Sequence, residues 1–229
     1  MAPSVGSPGA WRPRPAVLFA PARIVLAKGS LSTPARRQFV ESICAAYPDA
    51  EVDRQFETPH NRVRVGGGNP LQTHLHGKRT LVLGEHRSAV RHSDEEGTAC
   101  PNYWHFSPYG FCPYGCDYCY LAGTQGVWFS PTVKVFVNLD EILDTVDRVA
   151  KDFTEPTAFY LGKLQDGLAL DAPTGYSRQL VPFFAQHRLA RMVVLTKSTE
   201  IDNLLDLDHA SHTILSWTVN APRVARSLE

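Results

Sequence analysis

The chain has 229 residues, with 23 Lys+Arg against 23 Asp+Glu, 43% hydrophobic and 20% charged residues, and five cysteines. That balance announces neither a basic nucleic-acid footprint nor a disordered acidic tail, although an even total leaves room for a local basic groove. No apolar run reaches the roughly 18 residues of a membrane span, and the first residues hold Pro, Gly and Arg where a secretory leader would be apolar; the expectation is a cytoplasmic protein with no membrane partner.

Residues 1–22, with Pro3, Pro8, Pro13, Pro15 and Pro21, have no periodicity and read as a disordered, Pro-rich tail. Arg23 to Ala27 has the β-branched, apolar character of a short strand. Ser32-Thr33-Pro34 then sets a capping hydroxyl ahead of a proline at the first helical position. The helix that follows has Phe39, Val40, Ile43, Ala46 and Tyr47 on one face, encloses Cys44 as a small buried residue, and stops at Pro48. Glu51-Val52-Asp53 allows a further strand. Gly66-Gly67-Gly68-Asn69-Pro70 breaks the chain and reads as a flexible connection, not a phosphate cradle, because Leu71 stands where a third glycine is needed and no helix is expected to follow. His74 and His76 fall in that loop as a polar surface pair. Residues 23–77 thus form a small N-terminal α/β segment and linker, and residues 78–229 the main domain.

Thr80 to Gly84 reads as a strand, and the segment from Cys100 through His105 and Phe106 leads into the most informative part of the chain. Cys112, Cys116 and Cys119 form a C-x3-C-x2-C array, with Tyr118 just before the third cysteine and Tyr120 just after it. Three thiols so close point to a metal centre. A structural zinc site wants four ligands, usually as two CxxC pairs, whereas an iron–sulfur cube held by three cysteines leaves one iron open for chemistry. A zinc site completed by Cys100 or a histidine, and a disulfide with one thiol left over, are the competing readings.

Beyond the array, strand and helix alternate. Val133 to Val137 is a strand, and Asn138-Leu139-Asp140-Glu141 opens a helix with acidic residues in its first turn and Ile142, Leu143, Val146, Val149 and Ala150 on its apolar face. Ala158 to Leu161, Met192 to Leu195 and Thr213 to Val219 are strands; Thr174 to Gln186, Asp202 to Asp208 and Pro222 to Leu228 are helices. This repetition argues an α/β fold with a parallel sheet, whose ligands collect at the carboxyl ends of the strands.

These motifs resemble the spore photoproduct lyase family of radical S-adenosylmethionine enzymes. The likeness lies in Lys78-Arg79-Thr80-Leu81-Val82-Leu83-Gly84, Cys119-Tyr120-Leu121, Val135 to Leu143, Leu195-Thr196-Lys197, Ile201 to Leu205 and Ser216-Trp217-Thr218-Val219-Asn220. It covers residues 78–229, with a weaker echo over 23–52. The resemblance implies a partial (β/α) barrel of the radical SAM type, a 4Fe-4S cluster on Cys112, Cys116 and Cys119, and S-adenosyl-L-methionine contacted by Tyr118, Gln165, Lys197 and Thr218. Tyr120 would belong to a hydrogen-transfer relay. The implied activity is reductive cleavage of S-adenosylmethionine to a 5'-deoxyadenosyl radical for DNA photoproduct repair, with DNA and a flavodoxin- or ferredoxin-type electron donor as partners.

Two departures bear on that transfer. Gapless alignment puts Lys163 where the family has a hydrogen-donating cysteine, and a lysine ammonium cannot give up a hydrogen atom. An enzyme of the same chemistry with an unrelated substrate therefore stands beside the repair reading. The chain also stops in Val224-Ala225-Arg226-Ser227-Leu228-Glu229 after the fourth strand of the repeat, where a cut sheet would leave an unpaired edge. The expectation is a barrel incomplete at its C-terminus, and an inactive iron–sulfur-binding fragment is the third reading.

Overall fold

The computed structural model of the protein describes residues 11–93, 103–116, 119, 130–162 and 165–228. Two five-stranded sheets carry the architecture. The first takes β1 (Arg23–Leu26), β2 (Glu51–Arg54), β3 (Thr80–Gly84), β6 (Tyr109–Gly110) and β7 (Val133–Phe136) in the order β2-β1-β3-β7-β6. Its first four positions are parallel and β6 is antiparallel to β7. The second takes β4 (Val90–Ser93), β5 (Tyr103–Phe106), β8 (Thr157–Leu161), β9 (Ala190–Thr196) and β10 (Thr213–Trp217) in the order β10-β9-β8-β5-β4, with only β4 antiparallel. Neither sheet closes on itself, so the α/β fold is a partial barrel. The chain crosses from one sheet to the other between β5 and β6, immediately ahead of the cysteines.

The helices form where capping and apolar spacing agree. In α1 (Pro34–Ala46) the Thr33 side chain accepts from the Arg36 N–H, Pro34 occupies the first turn, and Val40 and Ile43 are buried. In α3 (Leu139–Ala150) Asp140 and Glu141 lie in the first turn, where the helix dipole favours them, and Ile142 and Val146 are buried. One apolar cluster spans both sheets, from Ile24, Leu81 and Val135 to Phe106, Phe159 and Met192. Each such side chain contributes about 1.5–3 kcal/mol on burial, and the cluster fixes where the strand ends lie.

Several elements differ from expectation. A helix, α2 (Pro70–Lys78), follows the glycine run: the Asn69 side chain accepts from the Gln72 N–H at 2.9 Å, and the Gln72 side chain accepts from the Gly68 N–H at 2.9 Å. These caps start a helix that the glycines alone argue against, so His74 and His76 ride on it instead of a loop. The expected helix from Thr174 to Gln186 is two, α4 (Asp171–Thr174) and α5 (Ser177–Ala185), broken where Gly175 takes φ of 59°. Asp202 to Asp208 forms turns, not a helix. A last helix, α6 (Pro222–Leu228), follows β10. Residues 11–22 form no regular element, yet Ala16 and Phe19 are buried and the Ala16 N–H donates to the Tyr47 hydroxyl at 3.1 Å.

Candidate functional site at the carboxyl ends of the strands

Because β5, β8, β9 and β10 run parallel, their carboxyl ends open on one side of the second sheet. The centre of that end is Asp166, in the loop after β8 and only 9% exposed. Its Oδ1 accepts from the Thr196 hydroxyl at 2.7 Å and from the Leu168 and Ala169 N–H groups at 3.0 Å. Its Oδ2 accepts from the Lys197 N–H at 2.6 Å. One carboxylate thus ties the β8 loop to the end of β9. The network continues to β10: the Thr218 N–H donates to the Thr196 carbonyl at 2.9 Å, and the Trp217 indole N–H to the Ser198 carbonyl at 2.9 Å.

The cysteine loop packs against this network. Burial pushes the Cys112 thiol up from its ordinary range, while N–H groups of Tyr114 and Asp166 donate toward it and the Lys78 ammonium favours its charged form. The Tyr114 hydroxyl, likewise pushed up by burial, shares a hydrogen bond with the Ser198 side chain. At the loop's entrance Phe111 is buried with φ of 61°, a conformation that costs a bulky side chain about 1–3 kcal/mol and persists only where neighbours enforce it.

Those neighbours come from α2. The Lys78 ammonium donates to the Cys112 and Tyr114 carbonyls at 2.5 and 2.6 Å and lies 4.2 Å from the Phe111 ring centroid. His74 packs against the same ring in a T-shaped arrangement, the centroids 5.7 Å apart. On the other flank Gly77 touches Pro131, where the chain returns toward β7; a Cβ at 77 would stand 2.2 Å from the Pro131 carbonyl oxygen.

Of the residues expected in the site, Cys112, Cys116 and Cys119 share the loop, are free thiols, and the last two are joined by a Cys119 N–H to Cys116 carbonyl bond of 3.1 Å. Among the described residues no three His, Cys, Asp or Glu side chains stand at metal-holding separations. Gln165, Lys197 and Thr218 do lie past the ends of three neighbouring parallel strands. Gln165 folds over Gly162, whose φ of 78° and missing Cβ make room for it, and its Nε2 is buried with no hydrogen-bond partner. Lys197 is half-buried and Thr218 exposed. Tyr118, Tyr120, Lys163 and Cys100 lie outside the described residues. Sequence reasoning missed Asp166, Lys78, Tyr114 and Ser198; for Asp166 the available signal was an Asp-Gly pair a few residues after a strand.

A partial α/β barrel of two open, mostly parallel sheets with a three-cysteine loop near the strand ends has clear relatives. A family model described as spore photoproduct lyase matches residues 19–229, and the chain belongs to that family. It is similar to the spore photoproduct lyase of Bacillus subtilis strain 168, 30% identical over 204 residues that cover 83% of this chain and 58% of the relative. To the spore photoproduct lyase of Clostridium acetobutylicum it is 29% identical over 206 residues, covering 85% and 59%. A double mutant of spore photoproduct lyase, solved with bound AdoMet and dinucleoside spore photoproduct, superposes with a TM-score of 0.79 at 25% identity over 92% of this chain and 59% of that one. The chain therefore spans less than two thirds of the length of these relatives.

Proposed function

We propose that the protein is a radical S-adenosylmethionine enzyme of the spore photoproduct lyase type, with DNA carrying a photoproduct as its substrate. The observation that carries this reading is the set of three free thiols, Cys112, Cys116 and Cys119, on one loop whose first cysteine lies within electrostatic reach of Asp166, the carboxylate that ties together the ends of β8 and β9. The donor set suits the group: three free thiols on one loop, within reach of one ammonium, match a 4Fe-4S cluster with an open iron better than a four-ligand zinc site. When bound, that cluster and S-adenosylmethionine supply the electron and the 5'-deoxyadenosyl radical.

The chain's own residues do the positioning. Cys112, Cys116 and Cys119 would hold the cluster, and Tyr118 would lie flat against the adenine. The unpartnered Gln165 Nε2 is a donor awaiting an acceptor, which the polar groups of the cofactor would offer. Lys197 extends from the end of β9 with its backbone fixed by Asp166, a suitable origin for a point charge on the methionine carboxylate. Thr218 would add a hydroxyl from β10, and Tyr120 would carry hydrogen transfer near the substrate. A flavodoxin- or ferredoxin-type protein would deliver electrons. Among the described residues no helix is long and apolar enough to cross a membrane.

Lys163 favours a second reading, the same cofactor chemistry on a different substrate. Anaerobic reconstitution with iron and sulfide, followed by assay of 5'-deoxyadenosine with and without dinucleoside spore photoproduct, tests both. Formation of 5'-deoxyadenosine without any turnover of the photoproduct selects the second; no 5'-deoxyadenosine at all removes both.

A further inference from the structure

A lysine near the end of a helix commonly satisfies carbonyls and does nothing else. Lys78 does more than that. Its two acceptors belong not to α2 but to Cys112 and Tyr114, 34 and 36 residues away. Burial works against its charge, and the thiols of Cys112, Cys119 and Cys116, all within electrostatic reach, work for it. The turn that carries it also meets Phe111 through His74 and Pro131 through Gly77. The end of α2 therefore touches the cysteine loop on both flanks and brings one cation to the backbone at its start.

Resting on the iron–sulfur reading above, we propose that Lys78 is a positioning residue of the cysteine loop: it holds the loop's incoming arm through the Cys112 and Tyr114 carbonyls and so fixes a positive charge at the backbone that carries the first cysteine, where an added electron on the centre the cysteines hold is favoured. Nearby charge and hydrogen bonding tune such centres, and a cation removed from water by its surroundings acts over this range with little screening.

Two measurements separate the tether from the charge. In the metal-free protein, amide exchange over residues 111–116 should be about tenfold faster in Lys78→Met than in the wild type, because the carbonyl anchors are gone. In the reconstituted protein, a redox titration should find reduction at least tenfold less favourable in Lys78→Met, about 59 mV for a one-electron couple, with Lys78→Arg close to the wild type. Should Lys78→Met not fold, Lys78→Gln, which keeps an amide donor while dropping the charge, takes its place in the redox titration, and Lys78→Ala, which has neither donor nor charge, takes its place in the exchange measurement. Wild-type exchange in the folded variant, or a wild-type potential, overturns the proposal; a purely structural lysine would lower stability and leave the potential where it was. If the wild type takes up no iron, the iron–sulfur reading fails and with it the electron-favouring half of the proposal, while the exchange comparison still decides whether Lys78 holds the loop.

Discussion

Asp166 accepts from four donors, and each removes a lone-pair direction that water would otherwise occupy. Changing Asp166 to Asn puts an amide NH2 where a carboxylate oxygen now accepts, facing either the Lys197 N–H or the donors to Oδ1. We expect a loss of about 1–3 kcal/mol in a denaturant titration, and weaker S-adenosylmethionine binding because Lys197 loses its backbone anchor. A variant as stable and as tight-binding as the wild type would remove Asp166 from the centre of the site. The cysteines divide as sharply. Cys44, half-buried in α1 with its thiol pushed up by burial, packs against the core far along the chain from the loop. Cys44→Ala should keep the brown iron–sulfur absorbance after reconstitution, and Cys116→Ala should lose it. The cysteine array was legible because ligand spacing is local; Asp166 was not, because its partners Thr196 and Lys197 lie 30 and 31 residues away.

The same contrast governs the elements. α1 and α3 could be read from their apolar faces, which the core buries. α2 could not, because it has no such face: Leu71 and Leu75 are 66% and 52% exposed, and the helix is held by its caps and by what His74, Gly77 and Lys78 touch. Periodicity reports burial against a core, so a helix whose task is to hold a loop leaves little trace in it. At the carboxyl end of the first sheet, His60 and His86 pack with Phe136, their ring centroids 5.1 Å apart. Burial, and then neighbouring positive charge, depress both from 6.5 to about 4. Between these values the unfolded chain binds more protons than the folded one, so their contribution to stability is fully present above pH 6.5 and is lost as pH falls toward 4. Melting temperatures measured from pH 7 to pH 4 should fall less steeply in His86→Gln than in the wild type. An identical slope would show that the pair does not titrate with folding.

For the whole molecule, two partial sheets meet at a loop that belongs to neither. The strand-helix alternation made the α/β class and the strand-end site legible, while the division into two sheets was not, since β4, β5 and β6 are short, mixed in polarity and defined by partners distant in sequence. Substrate choice is a property at this scale, because it depends on what faces the strand ends together. A thymine-centred product radical is quenched by a weak X–H bond, which a thiol offers and an ammonium does not. The protein should therefore form 5'-deoxyadenosine while returning little thymine from the spore photoproduct, and Lys163→Cys should raise the yield. Efficient multi-turnover repair by the unaltered sequence would show that another residue donates the hydrogen.

The contact of Gly77 with Pro131, opposite the grip of Lys78 on Cys112 and Tyr114, has a consequence for how this loop can change over evolutionary time. A segment whose two stems are clamped by one scaffold turn has its end-to-end distance set in advance. Lengthening such a segment then costs only the slow logarithmic term, about 0.6 kcal/mol for each doubling. The spacing of the stems is therefore more sensitive to position 77, where a single methyl group would stand 2.2 Å from the Pro131 carbonyl oxygen, than to the length of chain that joins them.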